Sequence, residues 1–230
     1  MVNVKKVKKI NKSELTRDEL LNIAEKSFVK KGYNQTSIND IVKIVKVSKG
    51  GFYHHFSSKE ELLSGILDRH LIGLKKSIQQ IVDDKKINGA EKLKLYFYQS
   101  WDFMRPKRML FIDLFYNTRD PFINDELCAK IKKNLVPLFI KIVEQAAKED
   151  ALDCPYPAET VELIIDARTT LVKLPHKTLH DKEVLFRYFA AFKNLVDKSL
   201  GIKKEIFGKN ISEAILKQAS FINKYHKDKE

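Results

Sequence analysis

Hydrogen-bond donors gather around a pair of adjacent glycines, Gly50 and Gly51, in the first quarter of the chain. These donors are Lys49, Tyr53, His54, His55 and Lys59. Ammonium, phenol and imidazole groups suit phosphate oxygens. Inside a helix each glycine costs roughly 1 kcal/mol relative to alanine, so close approach to another surface would explain two in a row. The pattern favours contact with DNA, and an ordinary short helix in a turn-rich region is the alternative.

Capping signals predict the short helices that position these donors. Thr16-Arg17-Asp18-Glu19 is a capping box, and Gly32 suits the end of the first helix. Further caps are expected at Thr36 or Ser37, at Ser48, and at the second capping box, Ser58–Glu61. Two short helices joined by a tight turn have helix-turn-helix geometry.

Charge and composition limit the protein classes that fit. The 230 residues carry a net charge of +13, and residues 1–60 hold 13 Lys and Arg against 6 Asp and Glu, so a polyanionic partner is expected. We find no apolar run long enough for a membrane span and no secretory signal. Cys128 and Cys154 form no CxxC motif, which favours a reducing, cytoplasmic location.

The stretch from Thr16 to Leu63 resembles the DNA-binding domain of the tetracycline-repressor (TetR) family of transcriptional regulators. The resemblance rests on Phe28, Gly32-Tyr33, Thr36-Ser37-Ile38, Ile41, Val47–Phe56 and Lys59–Leu63. It implies an all-α fold with an N-terminal helix-turn-helix domain and a C-terminal helical domain for ligand binding and dimerisation. Gly51 departs from the family pattern, which often has Thr or Ser there.

The resemblance also implies roles for individual residues. The helix from about Ile38 to Lys46 would be the supporting helix, and the helix from Ser48 to His54 would be the recognition helix. The residues expected at the DNA are Thr36, Ser37, Ser48, Lys49, Gly50, Gly51, Tyr53, His54 and Lys59. The basic arm of residues 1–12 either follows the DNA or is a disordered tail.

Residues 1–60 are therefore predicted to form the arm and the DNA-binding domain, and residues 61–230 a helical effector-binding and dimerisation domain. The second domain should contain a bridging helix from 59 to about 80 and helices at roughly 90–104, 106–118, 122–149, 158–174, 182–200 and 212–225. Pro137 is expected to kink or divide one of them. The helices at 158–174 and 182–200 are expected to form a dimer interface, with core packing as the alternative.

Nine of the 23 Phe, Tyr and Trp residues fall between residues 96 and 122. Such a cluster either fills a core or lines an apolar pocket. The residues proposed for a small-molecule site are Tyr96, Trp101, Met104, Phe111, Phe115 and Tyr116. His176 and His180 stand four apart but lack the remainder of a metal-binding motif, and no catalytic motif is present.

We therefore expect a homodimeric transcriptional regulator, not an enzyme, with neither a cofactor nor a metal. A repressor that binds a palindromic operator and is released by a small apolar or amphipathic effector fits best. An activator of the same fold, and a helical carrier or enzyme with an incidental basic N-terminus, remain as alternatives.

Overall fold

The computed structural model describes residues 12–104, 110, 121–172, 174, 178 and 181–202. The chain divides into two compact units, Met1–Asp68 and Arg69–Glu230. Secondary structure in the described residues is helical, apart from an isolated β-bridge between Leu152 and Ile202. None of the described helices has both the length and the apolar character needed to cross a membrane.

The N-terminal unit is built from helices α1 (Lys12–Lys31), α2 (Ile38–Val45), α3 (Lys49–Tyr53) and the start of α4 (Lys59–Asp83). Aromatic side chains from α1, α3 and the segment after α3 fill its centre, because Phe28, Phe52 and Phe56 are fully buried. Ile41 of α2 and Leu62 of α4 are buried as well. This core fixes the short α2 and α3, which are too short to be stable alone.

The C-terminal unit contains the rest of α4 and helices α5 (Gly89–Met104), α6 (Pro121–Lys148), α7 (Pro157–Val172) and α8 (Lys182–Ser199). Helices α5 and α6 run antiparallel, because Gly89 lies against Ala146 while Tyr96 stacks on Phe139. Helix α6 also packs on α7, which packs on α8. Buried aliphatic residues of all five helices join in one core.

The predicted helices within the described ranges agree with the structure, except that the first helix starts earlier than expected. Helix α1 begins at Lys12 and not at Thr16, and Glu14 in its first turn complements the positive end of the helix dipole. Pro137 lies inside α6 without dividing it. The predicted helices at 106–118 and 212–225, the arm, His176 and His180 lie outside the described residues, except for Leu110, which is helical and fully buried.

Candidate nucleic-acid interface

Ser37 and Asp40 cap the start of α2 with reciprocal hydrogen bonds. The backbone N–H of Asp40 donates to Ser37 Oγ over 3.2 Å, and the backbone N–H of Ser37 donates to Asp40 Oδ2 over 3.1 Å. Bonds from the Ser37 backbone and hydroxyl lower the pKa of Asp40. The capping box fixes the point where α2 begins and keeps Ser37 exposed at the end of the helix.

A tight turn connects α2 to α3. Lys46 ends α2 in the left-handed conformation, with φ 59°, and Ser48 then caps α3. The backbone N–H of Gly51 donates to Ser48 Oγ over 3.0 Å. Buried Phe52 anchors α3 in the core, while Lys49 and Gly50 are exposed and Gly51 is partly exposed. The arrangement is the helix-turn-helix that the sequence predicts.

Packing inside the protein does not explain why positions 50 and 51 are glycine. Outside the backbone of its own helix, the nearest atom that a Cβ at Gly50 would meet is Ser48 Oγ at 3.8 Å. At Gly51 the same oxygen would lie at 3.4 Å. Both distances are ordinary van der Waals separations, so the protein itself has room for side chains at both positions.

A groove of about 440 Å³ lies beside α3. Its lining residues are Ser37, Ile38, Asn39, Lys49, Tyr53, Ser57, Ser58, Lys59 and Glu60. The starts of α2 and α4 both border it, and helix N-termini favour anions. The groove brings together four predicted DNA-contacting residues: Ser37, Lys49, Tyr53 and Lys59. Glu60 is the one carboxylate in the described lining, and Tyr33 Oη donates to it over 3.0 Å.

Lys49 and Lys59 line the same groove but have different partners. The Lys59 ammonium donates to the carbonyl oxygens of Tyr33 and Thr36, over 3.1 and 3.2 Å, and lies 4.2 Å from the centre of the Tyr33 ring. Burial lowers the pKa of Lys59. Lys49 is exposed and makes no hydrogen bond or ion pair within the described chain. Lys59 therefore serves the fold of this unit, whereas the charge of Lys49 is available to an outside anion.

Thr36 is buried, with 1% of its surface exposed. Its hydroxyl donates to the carbonyl oxygens of Gly32, over 2.8 Å, and of Ser27, over 3.3 Å. These internal bonds tie the turn before α2 to the end of α1. The side chain predicted to hold a DNA phosphate thus has protein partners instead.

Two histidines end the third helix. The rings of His54 and His55 lie 5.1 Å apart, edge to face. His54 is exposed, as a DNA-contacting residue must be, and His55 is partly buried. Partial burial lowers the pKa of His55, helped by the charges of His54 and of Arg17 on α1. His55 is consequently biased towards its neutral form.

The predicted small-molecule residues are only partly described. Tyr96 is buried in the core of the C-terminal unit, stacked on Phe139 with ring centres 4.3 Å apart, and burial raises its pKa to about 12. Trp101 and Met104 lie in α5, but their side chains are outside the described part, as are Phe111, Phe115 and Tyr116. Tyr96 therefore packs in the core, which is the alternative to the apolar pocket for this aromatic cluster.

Asn39, Ser57, Ser58 and Glu60 also line the groove and were not predicted. Each lies within three residues of a predicted helix cap or donor. The predicted helix starts therefore indicate where these groove residues lie. The partners of Lys59 carry no local signal, because Tyr33 lies 26 residues earlier in the chain. No group of three or more His, Cys, Asp or Glu residues in the described ranges could hold a metal ion.

A capped supporting helix, a tight turn and a short exposed helix form the helix-turn-helix arrangement that many DNA-binding proteins share. Residues 20–66 match the family model described as "Bacterial regulatory proteins, tetR family". The N-terminal domain of this chain is therefore similar to the DNA-binding domain of tetR-family regulators.

Curated relatives share mainly this domain. The HTH-type transcriptional regulator QacR of Staphylococcus aureus is 44% identical over 52 residues, which cover 23% of this chain and 28% of QacR. The HTH-type transcriptional repressor DhaR of a Mycobacterium species is 30% identical over 81 residues, which cover 35% of this chain and 41% of DhaR. The chain therefore spans less than half the length of these relatives.

Solved structures extend the likeness to the fold of both units. Reduced NemR of E. coli superposes with a TM-score of 0.56 at 19% identity, covering 78% of this chain and 95% of NemR. RolR in complex with resorcinol gives a TM-score of 0.59 at 15% identity, covering 89% of this chain and 94% of RolR. At these identities the likeness concerns the fold alone.

Proposed function

We propose that this protein is a ligand-responsive transcriptional regulator, in the first instance a repressor, that binds a near-palindromic DNA operator as a homodimer. The observation that carries the proposal is the exposed glycine pair of α3. The protein has room for side chains at Gly50 and Gly51, so an outside surface that comes close to the helix backbone explains their absence. A DNA major groove is wide enough to admit such a helix.

The charges around α3 support DNA as that surface. Lys49 is exposed beside the glycines, and the groove next to α3 combines two helix N-termini with Ser37 and Tyr53. We assign backbone contacts to Ser37, Tyr53 and His54, and base contacts to Lys49 and the start of α3. Lys59 and Thr36 hold the turn before α2 in place and so act through the residues that they position.

Exposed apolar residues support dimerisation through α7 and α8. Leu163 of α7 is 71% exposed, and Tyr188 and Leu195 of α8 are 41% and 43% exposed. Apolar residues on two packed helices are typical of a subunit interface. A dimer would present two recognition helices, and a spacing of about 34–36 Å would let them read successive turns of the operator.

Comparison with named proteins supports a repressor that senses a small molecule. DhaR and NemR are named as repressors, and RolR has been solved with the ligand resorcinol. We place the effector site of this chain in the C-terminal unit and propose no enzymatic activity. Cys128 and Cys154 are not joined in a disulfide, which agrees with a regulator acting in the cytoplasm.

A mobility-shift titration with the DNA upstream of the protein's own coding sequence tests DNA binding. We expect a discrete complex whose log affinity falls with log salt at a slope of about −7, if two protomers neutralise about eight phosphates. A scrambled duplex of the same composition is the control. The absence of a complex at low salt would favour the helical carrier or enzyme instead, and a lasting monomer at micromolar concentration would contradict the dimer.

A further inference from the structure

The basic residues of the N-terminal unit include a single arginine. Residues 1–68 hold 12 Lys and one Arg, which is Arg17. Arg17 lies in α1, is exposed, and makes no hydrogen bond or ion pair within the described chain. A guanidinium presents its N–H donors in a rigid fork that matches two phosphate oxygens, whereas an ammonium is a point charge. Arg17 is therefore the side chain of this unit best suited to bidentate contact with a phosphate.

The Arg17 guanidinium is held in place from two sides. Its central carbon lies 5.0 Å from the centre of the Phe56 ring, and a cation over an aromatic face is attracted to it. On the α4 side, a Cβ at Gly65 would stand 3.5 Å from a terminal nitrogen of Arg17 and 3.4 Å from the Phe56 ring. The guanidinium thus lies between Phe56 and the backbone of α4. A side chain that is already positioned loses less freedom when it binds.

Helix α3 has two flanks, one on either side of its outward face. Successive residues of a helix are about 100° apart, so Gly50 points roughly away from the buried Phe52. Lys49 and Tyr53 lie on one flank, and both line the groove. Gly51 lies on the other flank, about 100° from Phe52 in the opposite sense. The groove therefore borders only one flank of α3.

Arg17 lies beside the second flank. His55 follows Gly51 by about one helical turn, and the nearby charge of Arg17 helps to lower the pKa of His55. Since His55 is biased towards its neutral form, Arg17 supplies the positive charge on this flank. Glu61 is a carboxylate within range of that charge. Its Oε2 accepts hydrogen bonds from the backbone N–H and the hydroxyl of Ser57, over 2.5 and 2.6 Å, so its partners are internal.

We propose that Arg17 binds a phosphate of the DNA strand that borders the second flank of α3. The inference rests on the proposed function and adds a residue to its DNA contacts. A major groove about 12 Å wide has a phosphate backbone on each side, so a helix lying in it brings one flank to each strand. Ser37 and Tyr53 serve one strand, and Arg17 serves the other. Contacts on both sides fix the orientation in which Lys49 meets the base edges.

Salt titrations of operator binding by the full-length protein test the proposal. Arg17→Met removes the charge and keeps an apolar stem over Phe56. One lost phosphate contact per protomer should change the slope of log affinity against log salt from about −7 to about −5, and should weaken binding about fiftyfold at 0.1 M salt.

Lys26→Met is the matched control. Lys26 is an exposed cation of the same helix, nine residues from Arg17 and therefore about 180° around α1. The control removes the same charge from the opposite face, so the slope should stay near −7. Arg17→Lys keeps the charge and loses the fork. It should keep the slope and weaken binding by about threefold.

A methylphosphonate scan of the operator identifies the phosphate. Replacing a charged phosphate by a neutral methylphosphonate should weaken wild-type binding at one position of each half-site without weakening Arg17→Met there. That position should lie on the strand opposite to the phosphates of Tyr53, which the same scan with Tyr53→Phe locates. A loss that one protein shows and the other does not is the coupling expected of a direct contact.

A wild-type slope in Arg17→Met would overturn the proposal, even if the Tm of the variant falls, because a role limited to packing on Phe56 would lower Tm alone. An equal loss of slope in Lys26→Met would overturn it as well, since any positive charge would then suffice. So would a scan in which Arg17→Met is weakened at every position that weakens wild type.

If Arg17→Met does not fold, the scan with Arg17→Lys decides in its place. A reduced loss at one position of each half-site would support the contact, and the wild-type pattern of losses would overturn it. These outcomes all concern a wild-type protein that binds the operator. A wild-type protein that forms no complex would instead contradict the proposed function, and this inference with it.

Discussion

Gly50 of the N-terminal unit and Gly89 of the C-terminal unit occupy opposite environments. A Cβ at Gly50 in the N-terminal unit would meet its nearest atom at 3.8 Å. A Cβ at Gly89 in the C-terminal unit would overlap the backbone of Ala146 and stand 2.8 Å from its Cβ. Gly201, with φ 55°, would overlap the carbonyl of Asp153. Neighbours inside the fold explain Gly89 and Gly201, whereas they do not explain Gly50.

This difference separates stability from function. In the C-terminal unit the glycines let α5 approach α6 and let the chain after α8 approach the segment before α7. In the N-terminal unit, Gly50 and Gly51 leave the backbone of α3 accessible from outside. Substitutions in the two sets should consequently change different measured quantities.

The largest effect is expected for Gly89→Ala. The added methyl group must displace the backbone of Ala146 and would disturb the 2.6 Å hydrogen bond from the Gly89 N–H to Glu149 Oε2. We expect the free energy of unfolding to fall by about 3 kcal/mol or more, measured by urea denaturation. Gly50→Ala is the control. Unchanged stability of Gly89→Ala would remove the contrast between the two units.

The next largest effects are expected for the two groove lysines, whose substitutions should differ in their effect on stability. Lys49→Ala should weaken operator binding about tenfold and reduce the salt slope, without a change in Tm, because Lys49 has no described internal partner. Lys59→Met should weaken binding and also cost about 1–2 kcal/mol of stability, because it removes two charged hydrogen bonds to backbone carbonyls. Mobility shift and thermal unfolding measure both quantities. Identical behaviour of the two variants would contradict the division of roles.

Gly50→Ala should move stability and DNA affinity in opposite directions. Alanine is the better helix former, so the free energy of unfolding should rise, by at most about 1 kcal/mol. Operator affinity should fall, because the methyl group separates the α3 backbone from DNA. Gly51→Ala and Gly51→Ser form a second series, in which the size of the added side chain increases. An unchanged operator Kd for Gly50→Ala would show that no surface approaches this position closely.

The smallest effect concerns pH. The pKa of His55 is lowered in the folded protein, so the unfolded chain binds the proton more readily. The stability associated with His55 is therefore complete above pH 6.5 and is lost as the pH falls below that value. Wild type should lose more Tm between pH 7.5 and 5.5 than His55→Gln. An equal loss in both proteins would assign the acid sensitivity to other groups.

Local signals in the sequence predicted the N-terminal unit closely. Ser37 and Ser48 cap α2 and α3 as expected, since a capping bond joins residues only three apart. The start of α1 was placed four residues late, because the box at Thr16 resembles a helix start although the helix continues through it. Capping residues therefore show roughly where a helix lies, whereas the residue at which the helix begins depends on the whole helix.

Contacts between distant residues escaped prediction. The burial of Thr36 follows from carbonyls of α1 and from the turn after it, and the role of Lys59 depends on Tyr33. The need for glycine at position 89 comes from Ala146, 57 residues further along. In the C-terminal unit periodicity located the helices, but it could not reveal that Asn124 is buried or that Tyr96 stacks on Phe139.

The Lys59 ammonium joins the first turn of α4 to the loop that precedes α2. A single charged group thus couples the beginnings of two helices that border the same groove. If the first turn of α4 moves, these two bonds pull on the carbonyls of Tyr33 and Thr36, directly before the cap of α2 at Ser37. A displacement at the start of α4 is therefore passed to the start of α2 through one ammonium group.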